Sequence, residues 1–471
     1  MPTCLRKLGS KVRVSNMVRL LAILFVFFSV SSAVFCEDLP FKESSSEEFE
    51  KAFGDKKGIT EIDQSDAEKD KLHIGGSLQT EFQQYENEDF DNSRLANPYT
   101  LSLYFDSRLR HDIRAYSKSK IVYDPTIEEE EASQIPGLSS RQTQGDLEEL
   151  KIMFNIKKRA FMTVGKQKIK WGSAKFWNPT DIINTTKRDF LKTDDERSGL
   201  PLVKMHVPIE SSNFYVMGLF DRASKSNQVG YAGRFEVPIK TSEISLSAMG
   251  RKGRHTLYAT DFSAGVWDLD FYGEAAFSKG SDTTRYRALD TWPVPPVQIP
   301  QESDVDKISR KAKQPPCTPD VESLPCEISY ENAKTVSKVT GGVSYEYKYS
   351  DQDTLTLYFE YFHNEEGYKE KKDYSVLMQN GAYQPFYLGL HYGMVSFYLP
   401  APGSWNDWTF VLFNVANYTD HSYLAKLDAT LIAMQDLTTT FGVSHHYGNR
   451  EGEFLFTGQK WDFSLALKTV F

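Results

Sequence analysis

The sequence predicts an all-β chain: a transmembrane, antiparallel, up-and-down β-barrel of about 18 strands, with about 16 as the alternative count. Three observations lead there. Apolar residues recur at every second position through many segments of about ten residues. The breaks between those segments alternate between short and long. The chain opens on an export-type leader and closes on an alternating strand that ends in Phe471.

Composition removes the competing classes. The chain has 471 residues, 55 Lys+Arg against 64 Asp+Glu, and a formal charge of −9. An acidic balance argues against a nucleic-acid partner. Mean hydropathy of −0.47 excludes a bundle of membrane-spanning helices. Aromatics at 13%, with 31 Phe and 25 Tyr, exclude wholesale disorder.

Residues 1–36 read as a signal peptide. Arg6, Lys7, Lys11, Arg13 and Arg19 precede an uncharged run from Leu20 to Cys36, and Ser31 and Ala33 suit a cleavage site after Ala33. Translation from either Met1 or Met17 yields a normal leader. Residues 37–70, rich in Glu, Ser and Lys, form an acidic periplasmic N-terminal tail. The barrel is expected over 71–471. Export implies an oxidising compartment, so Cys317 and Cys326, close together in a Pro-rich stretch, suggest one local disulfide. No nearby His or Cys completes a metal site with them.

At the other end, Trp461, Phe463, Leu465, Leu467, Thr469 and Phe471 alternate with Asp462, Ser464, Ala466, Lys468 and Val470. That is a strand with one greasy face. Its closing aromatic resembles the C-terminal signal by which the barrel-assembly machinery receives outer-membrane β-barrels. The same two-residue ruler finds strands near 72–86, 97–110, 112–123, 147–157, 161–171 and 201–208. It continues through 213–221, 230–238, 243–251, 255–267, 269–279 and 335–349. The last six lie near 354–363, 385–399, 406–418, 422–434, 437–447 and 457–471.

Breaks after even-numbered strands are short, and every long break follows an odd-numbered one: 87–96, 124–146, 172–200, 280–334 and 364–384. Short turns on one rim and long loops on the other are a property of outer-membrane barrels. An even strand count then puts both termini on the periplasmic side. Hydrocarbon offers no partner to a backbone amide, so the sheet must close. A cylinder this wide cannot be filled by its own wall side chains and encloses a channel.

Residues 164–181 carry the most distinctive segment. Gly165 and Gln167 flank Lys166; Trp171-Gly172 and Asn178-Pro179 follow, then Asp181. This order resembles a segment shared by a porin-like family of large Gram-negative outer-membrane β-barrels of unknown function. That family usually shows Gly-Arg-Gln, then Trp-Gly, then Asn-Pro-x-Asp. Alginate-export and phosphate-selective porins are more distantly similar. Lys166 stands where the family commonly has Arg, so a forked guanidinium contact is not required there. The resemblance implies a barrel and passage of a solute or lipid-like molecule, and names no substrate. Taken on their chemistry, Gly165 and Gly172 permit close backbone approach or a bulge. Asn178-Pro179 starts a turn, and Asp181 suits the cap of a short helix through Ile182 and Ile183. The loop that follows either folds into the lumen as a constriction or stands outside as a solvated surface.

Pore-lining candidates are Arg108, Arg110, Arg114, Lys118 and Lys120 on neighbouring strands, with Lys166, Lys168 and Lys170 on one face of a nearby strand. A cationic wall would favour anions; Glu274, Glu360 and Asp428 are acids able to neutralise it. The acidic run 128–131 suits an outer loop tip. No Gly-x-Ser-x-Gly, His-Glu-x-x-His or Walker segment occurs. His445 and His446 are adjacent, so they face opposite ways on a strand. The expectation is a non-enzymatic, cofactor-free, porin-like channel for a small or medium solute, with an anion preference as a further expectation. Its partners are outer-membrane lipid, lipopolysaccharide, the assembly machinery and the diffusing solute. The alternatives are a surface-interaction barrel with a plugged lumen and a lipid-handling barrel.

Overall fold

The computed structural model describes residues 72–90, 93–108, 113–127, 142–184, 186–192, 197–288, 326–329, 334–350 and 353–471. The leader, the acidic tail, Arg110, the 128–131 run, Cys317 and the side chain of Cys326 lie outside the described residues.

Eighteen antiparallel strands form one closed sheet. In chain order they are β1 (Leu72–Glu86), β2 (Tyr99–Arg108), β3 (Arg114–Tyr123), β4 (Thr143–Ile156), β5 (Ala160–Gln167) and β6 (Leu200–Ile209). Next come β7 (Ser212–Leu219), β8 (Gly230–Ile239), β9 (Ser242–Gly250), β10 (Leu257–Val266), β11 (Leu269–Lys279) and β12 (Thr335–Lys348). The wall finishes with β13 (Thr354–Asn364), β14 (His391–Pro400), β15 (Trp408–Asn417), β16 (Ser422–Met434), β17 (Leu437–Gly448) and β18 (Trp461–Val470). Each strand pairs with the next. The seam is closed by β1 on β18, in register from Ser77 opposite Val470 to Glu86 opposite Trp461. No margin of the sheet is left for another chain to join. A short strand, Ser93–Ala96, also pairs with the end of β1.

The two-residue alternation has its cause in this closure. Leu78 and Phe82 on β1, opposite Thr469 and Leu465, are exposed on the outside, as are Phe271, Phe359, Phe397 and Leu412 further round. Such a continuous greasy exterior is tolerable only against hydrocarbon. The intervening residues point inward; some are polar, and others, such as Leu202, Met217 and Tyr392, are apolar or aromatic and covered.

One rim carries the tight connections. At 210–211, 240–241 and 267–268 two residues reverse the chain, and Glu210, Lys240 and Trp267 have φ of 53°, 58° and 56°. The primed hairpin turns that match strand twist demand such positive values. From the opposite rim leave the connections between β3 and β4, β5 and β6, β11 and β12, β13 and β14, and β17 and β18. Arg285–Ala288 and Cys326–Ser329 pair as a separate two-stranded ribbon within 280–334. Helix α1 (Asp373–Gln379) lies within 365–390.

Two expected strands are too long. The segment expected over 161–171 ends at Gln167, and the one expected from 385 begins at His391. In both cases the missing residues leave the wall and turn into the lumen, where Trp171, Phe386 and Leu388 are buried. Alternation cannot distinguish a wall strand from an extended segment packed against its inside.

Candidate constriction and lumen wall

The site is built by the loop 168–199, which folds into the barrel. Trp177 is fully buried, and Ala174, Phe176, Ile183 and Phe190 are nearly so. A surface loop would leave such side chains in water, so burying them drives the inward fold. Trp171, Ile182 and Ile183 pack on Leu202, Met217, Ala232, Ala259 and Ala276, which line β6 to β11. Phe176, Trp177 and Phe190 pack on Phe362, Tyr392, Met394, Phe413 and Leu424, which line β13 to β16. The Phe176 and Phe190 rings stack at 3.7 Å, and Trp177 lies parallel to Phe362 at 5.4 Å.

Two buried carboxylates on the wall receive the loop backbone. Glu274 on β11 accepts the Ala174 N–H at 2.6 Å, the Thr180 N–H at 3.0 Å, the Thr180 hydroxyl at 2.7 Å and the Asn178 amide at 3.0 Å. Glu360 on β13 accepts successive backbone N–H groups: Lys175 at 3.0 Å, Phe176 at 3.2 Å and Trp177 at 2.6 Å. Buried carboxylates are costly unless their lone pairs are filled, and backbone donors fill them here. In return, an extended loop with no ladder of its own has its donors satisfied. The Trp177 indole donates to the Phe386 carbonyl at 3.1 Å, and Lys426 to the Leu191 carbonyl at 2.5 Å.

The distinctive segment supplies this junction. Gly165 and Gly172 adopt φ of 130° and 108°, where side chains are strained. A Cβ on Gly165 would meet the Leu150 carbonyl, and one on Gly172 the Glu274 carboxylate. Gln167 is buried and donates to the Thr163 and Leu202 carbonyls at 3.3 and 3.4 Å. Trp171 lies beneath the Arg234 guanidinium at 5.6 Å. Asn178-Pro179 makes the expected turn, closed by Asp181 N–H on the Asn178 carbonyl at 3.1 Å. No helix follows. Asp181 instead accepts from Asn184 at 2.7 Å and Arg197 at 2.9 Å, tying the middle of the loop to its C-terminal end.

The expected basic residues divide. Arg114, Lys118 and Lys120 lie on the same face of β3 as inward Tyr116, in register with inward Asp106, Tyr104 and Ser102 on β2. Arg108 ends β2 opposite Arg114. The expectation of one face for Lys166, Lys168 and Lys170 does not hold, because β5 ends at Gln167. Lys166 sits opposite Leu150 and Pro201, on the outward register, and reaches Asp146 at 3.2 Å. Lys168 leaves the wall and approaches Glu148 at 3.4 Å.

Acids interleave with these cations. Arg114 meets Asp106 at 2.5 Å, Lys118 meets Glu148 at 2.8 Å, and Lys151 pairs with Glu149. A register shift between Lys118 and Ser119 opposite β4 turns Glu148 inward beside Glu149. Charge balance thus comes from Asp106 on β2 and from Glu148 and Glu149 on β4. Glu274 and Glu360, expected to neutralise the field, are occupied by loop amides, and Asp428 pairs with Lys426 at 2.9 Å.

The lumen wall is therefore uneven. Inward residues of β11 to β15, such as Tyr272, Tyr358, Met394 and Val415, are covered. Those of β18 and β1 to β4, including Ser464, Gln79, Gln83, Asp106, Lys118 and Lys151, are half-buried and polar.

Other loops thicken the covered side. Burial works against the Glu366 carboxylate, yet Lys338, Ser281 and Lys187 hold it down at about 2. Burial lowers the Lys187 ammonium to about 8, with Lys338 adding to the effect. Glu453 takes the Tyr392 hydroxyl at 2.6 Å and the Asn417 amide at 2.7 Å. Its burial, and Asp420 beside it, still push its carboxyl up to about 8. The wall carboxylates Glu274 and Glu360 were visible in the sequence only as inward acids; nothing local marked them as receivers for a loop about a hundred or more residues earlier.

Among the other histidines, His445 stacks outward on Trp461 at 3.9 Å, while His446 points inward, bonding the Phe454 carbonyl at 2.7 Å and Asp462 at 3.0 Å.

No family model matches the sequence, and no curated protein matches it. Its likeness to solved structures is one of fold. OccAB1 of Acinetobacter baumannii superposes with a TM-score of 0.51 at 9% identity, covering 85% of this chain and 96% of that one. OccK8 (OprE) of Pseudomonas aeruginosa gives 0.49 at 8% identity, over 85% and 98%. The outer membrane protein opdK of the same species gives 0.48 at 7%, over 85% and 98%. The architecture this chain shares with OccAB1 is a large closed antiparallel β-barrel.

Proposed function

We propose that this chain is a porin-like channel through which a small or medium polar solute diffuses passively across the outer membrane. The observation that carries the reading is the uneven lumen. Loop 168–199 is clamped to one side by Glu274 and Glu360, and the facing wall, β18 and β1 to β4, keeps half-buried polar side chains. Side chains that hold water contacts inside a closed cylinder line a wet path. Selectivity then rests on the aperture between the loop and that wall.

The wall supports only a weak preference for anions. Arg114, Lys118 and Lys151 supply positive charge, but Asp106, Glu148 and Glu149 lie within ion-pair reach of them. Fields from such pairs cancel over a few ångströms. The side chains named here bind and exclude; no step of bond making is assigned to any of them.

Purified chain in a planar bilayer tests the reading. Stepwise conductance is expected, with a zero-current potential in a salt gradient displaced slightly to the anion side. A silent membrane would favour a plugged surface-interaction barrel. A lipid-handling barrel would need a lateral opening or a hydrophobic lumen path; the ten residue pairs from Ser77–Val470 to Glu86–Trp461 favour a shut seam, and the half-buried polar wall favours a wet path.

A further inference from the structure

The outer wall carries a polar cluster that the channel does not use. His363 is the second-last residue of β13 and His391 the first of β14, and the two stand opposite each other in register. Both share the outward face with Phe359 and Tyr361 on β13 and with Val395 on β14. Their imidazoles lie with ring centroids 4.9 Å apart. The two Nδ1 atoms approach to 3.5 Å, and the Tyr361 hydroxyl reaches His391 Nδ1 at 2.7 Å. Three polar atoms thus converge on the greasy side of the barrel, at the end where long loops leave it.

That spacing has a chemical meaning. Zinc binds imidazole nitrogen at about 2.0–2.1 Å in tetrahedral geometry, which sets two nitrogen ligands about 3.4 Å apart. Two neutral imidazoles facing each other can share one hydrogen bond between their Nδ1 atoms. With both rings as the Nε2–H tautomer, the two Nδ1 lone pairs face each other at 3.5 Å and a cation can take both; the Tyr361 hydroxyl, which shares His391 Nδ1, gives up that bond when the cation binds. Paired positions on adjacent strands hold both rings in place through the ladder, so little ordering is required on binding. Imidazole suits zinc and its neighbours better than calcium or magnesium, which take oxygen ligands.

We propose that His363 and His391 form a binding site for a zinc-class divalent cation on the outer wall, at the loop rim. Tyr361 stands ready as a third ligand. Among the described residues no three His, Cys, Asp or Glu side chains are grouped so as to hold a metal ion. The remaining coordination positions are therefore open to water or to an oxygen of a lipid headgroup. A cation held there staples β13 to β14 where loop 365–390 turns into the lumen.

The test uses the full mature chain, folded in detergent, with zinc chloride as the probe in calorimetry and cobalt(II) in absorption spectroscopy. One saturable ion per chain is expected, with a tetrahedral cobalt spectrum and a rise in thermal midpoint at saturating zinc. His363→Ala and His391→Ala should each abolish the site and the rise, while His445→Ala keeps both. Mobility of the unheated barrel on electrophoresis checks that each variant is folded. Absence of a saturable ion in the wild type overturns the proposal. So does an ion that survives in a folded His363→Ala or His391→Ala variant. A third overturning result is binding of inorganic phosphate, and not of zinc, to the pair in mildly acidic buffer.

Discussion

Trp177 donates its backbone N–H to the Glu360 carboxylate at 2.6 Å, across a sequence separation of 183 residues. Lys175 and Phe176 donate to the same group. Glu360→Gln would keep the shape and replace one acceptor oxygen by a donor. Each buried N–H left without an acceptor costs about 1–3 kcal/mol. We expect a looser loop, read as higher and noisier single-channel conductance with the barrel still folded. Unchanged conductance would show that the aromatic packing alone holds the loop.

Gly172 tests the other clamp. Its φ of 108° and the Glu274 carboxylate against its α-carbon exclude a side chain. Gly172→Val adds strain of about 1–3 kcal/mol. It also pushes Glu274 away from Ala174 and Thr180. A lower thermal midpoint and frequent current flicker are expected, with a smaller effect from Gly145→Ala, where nothing lies near.

Glu148 stands between Lys118 at 2.8 Å and Lys168 at 3.4 Å. Glu148→Gln removes the compensating charge and leaves both cations. Zero-current potentials in a salt gradient should move further to the anion side, and the movement should shrink as ionic strength rises. A shift toward cations would contradict the assignment of this wall to the permeation path.

Glu453 makes stability depend on pH. Burial, then Asp420, raise its carboxyl to about 8 from an ordinary 4.5. A raised folded value means that folding favours the protonated form. Its contribution is complete below the unfolded value and is lost as pH rises through about 8. Thermal midpoints should fall from pH 6 to about pH 9 in the wild type and flatten in Glu453→Gln. A parallel decline in both proteins would place the titration elsewhere.

The wall of this protein was legible because hydrocarbon imposes a strict rule on it. Leu78, Phe82, Leu465 and Leu467 must face outward and their neighbours inward, so strand limits emerge within a few residues. The lumen obeys a weaker rule. Ile169 and Trp171 continue the alternation of β5 yet belong to the loop. The partners that decide this, Glu274 and Glu360, sit on strands far along the chain. Asp181 shows the same limit: its local context suits a helix cap, and Arg197 claims it instead. The charges on β3 were legible as a ladder, but their cancellation depends on the bulge that turns Glu148 inward, which no spacing announces.

The anchoring of loop 168–199 also fixes a chronology. Its carboxylate receivers lie on β11 and β13, so the loop is clamped only once those strands stand in the wall. Until then Phe176 and Trp177 lack the partners on β13 to β16 that bury them. The width of the aperture is therefore set by the closure of distant strands and not by the loop's own sequence.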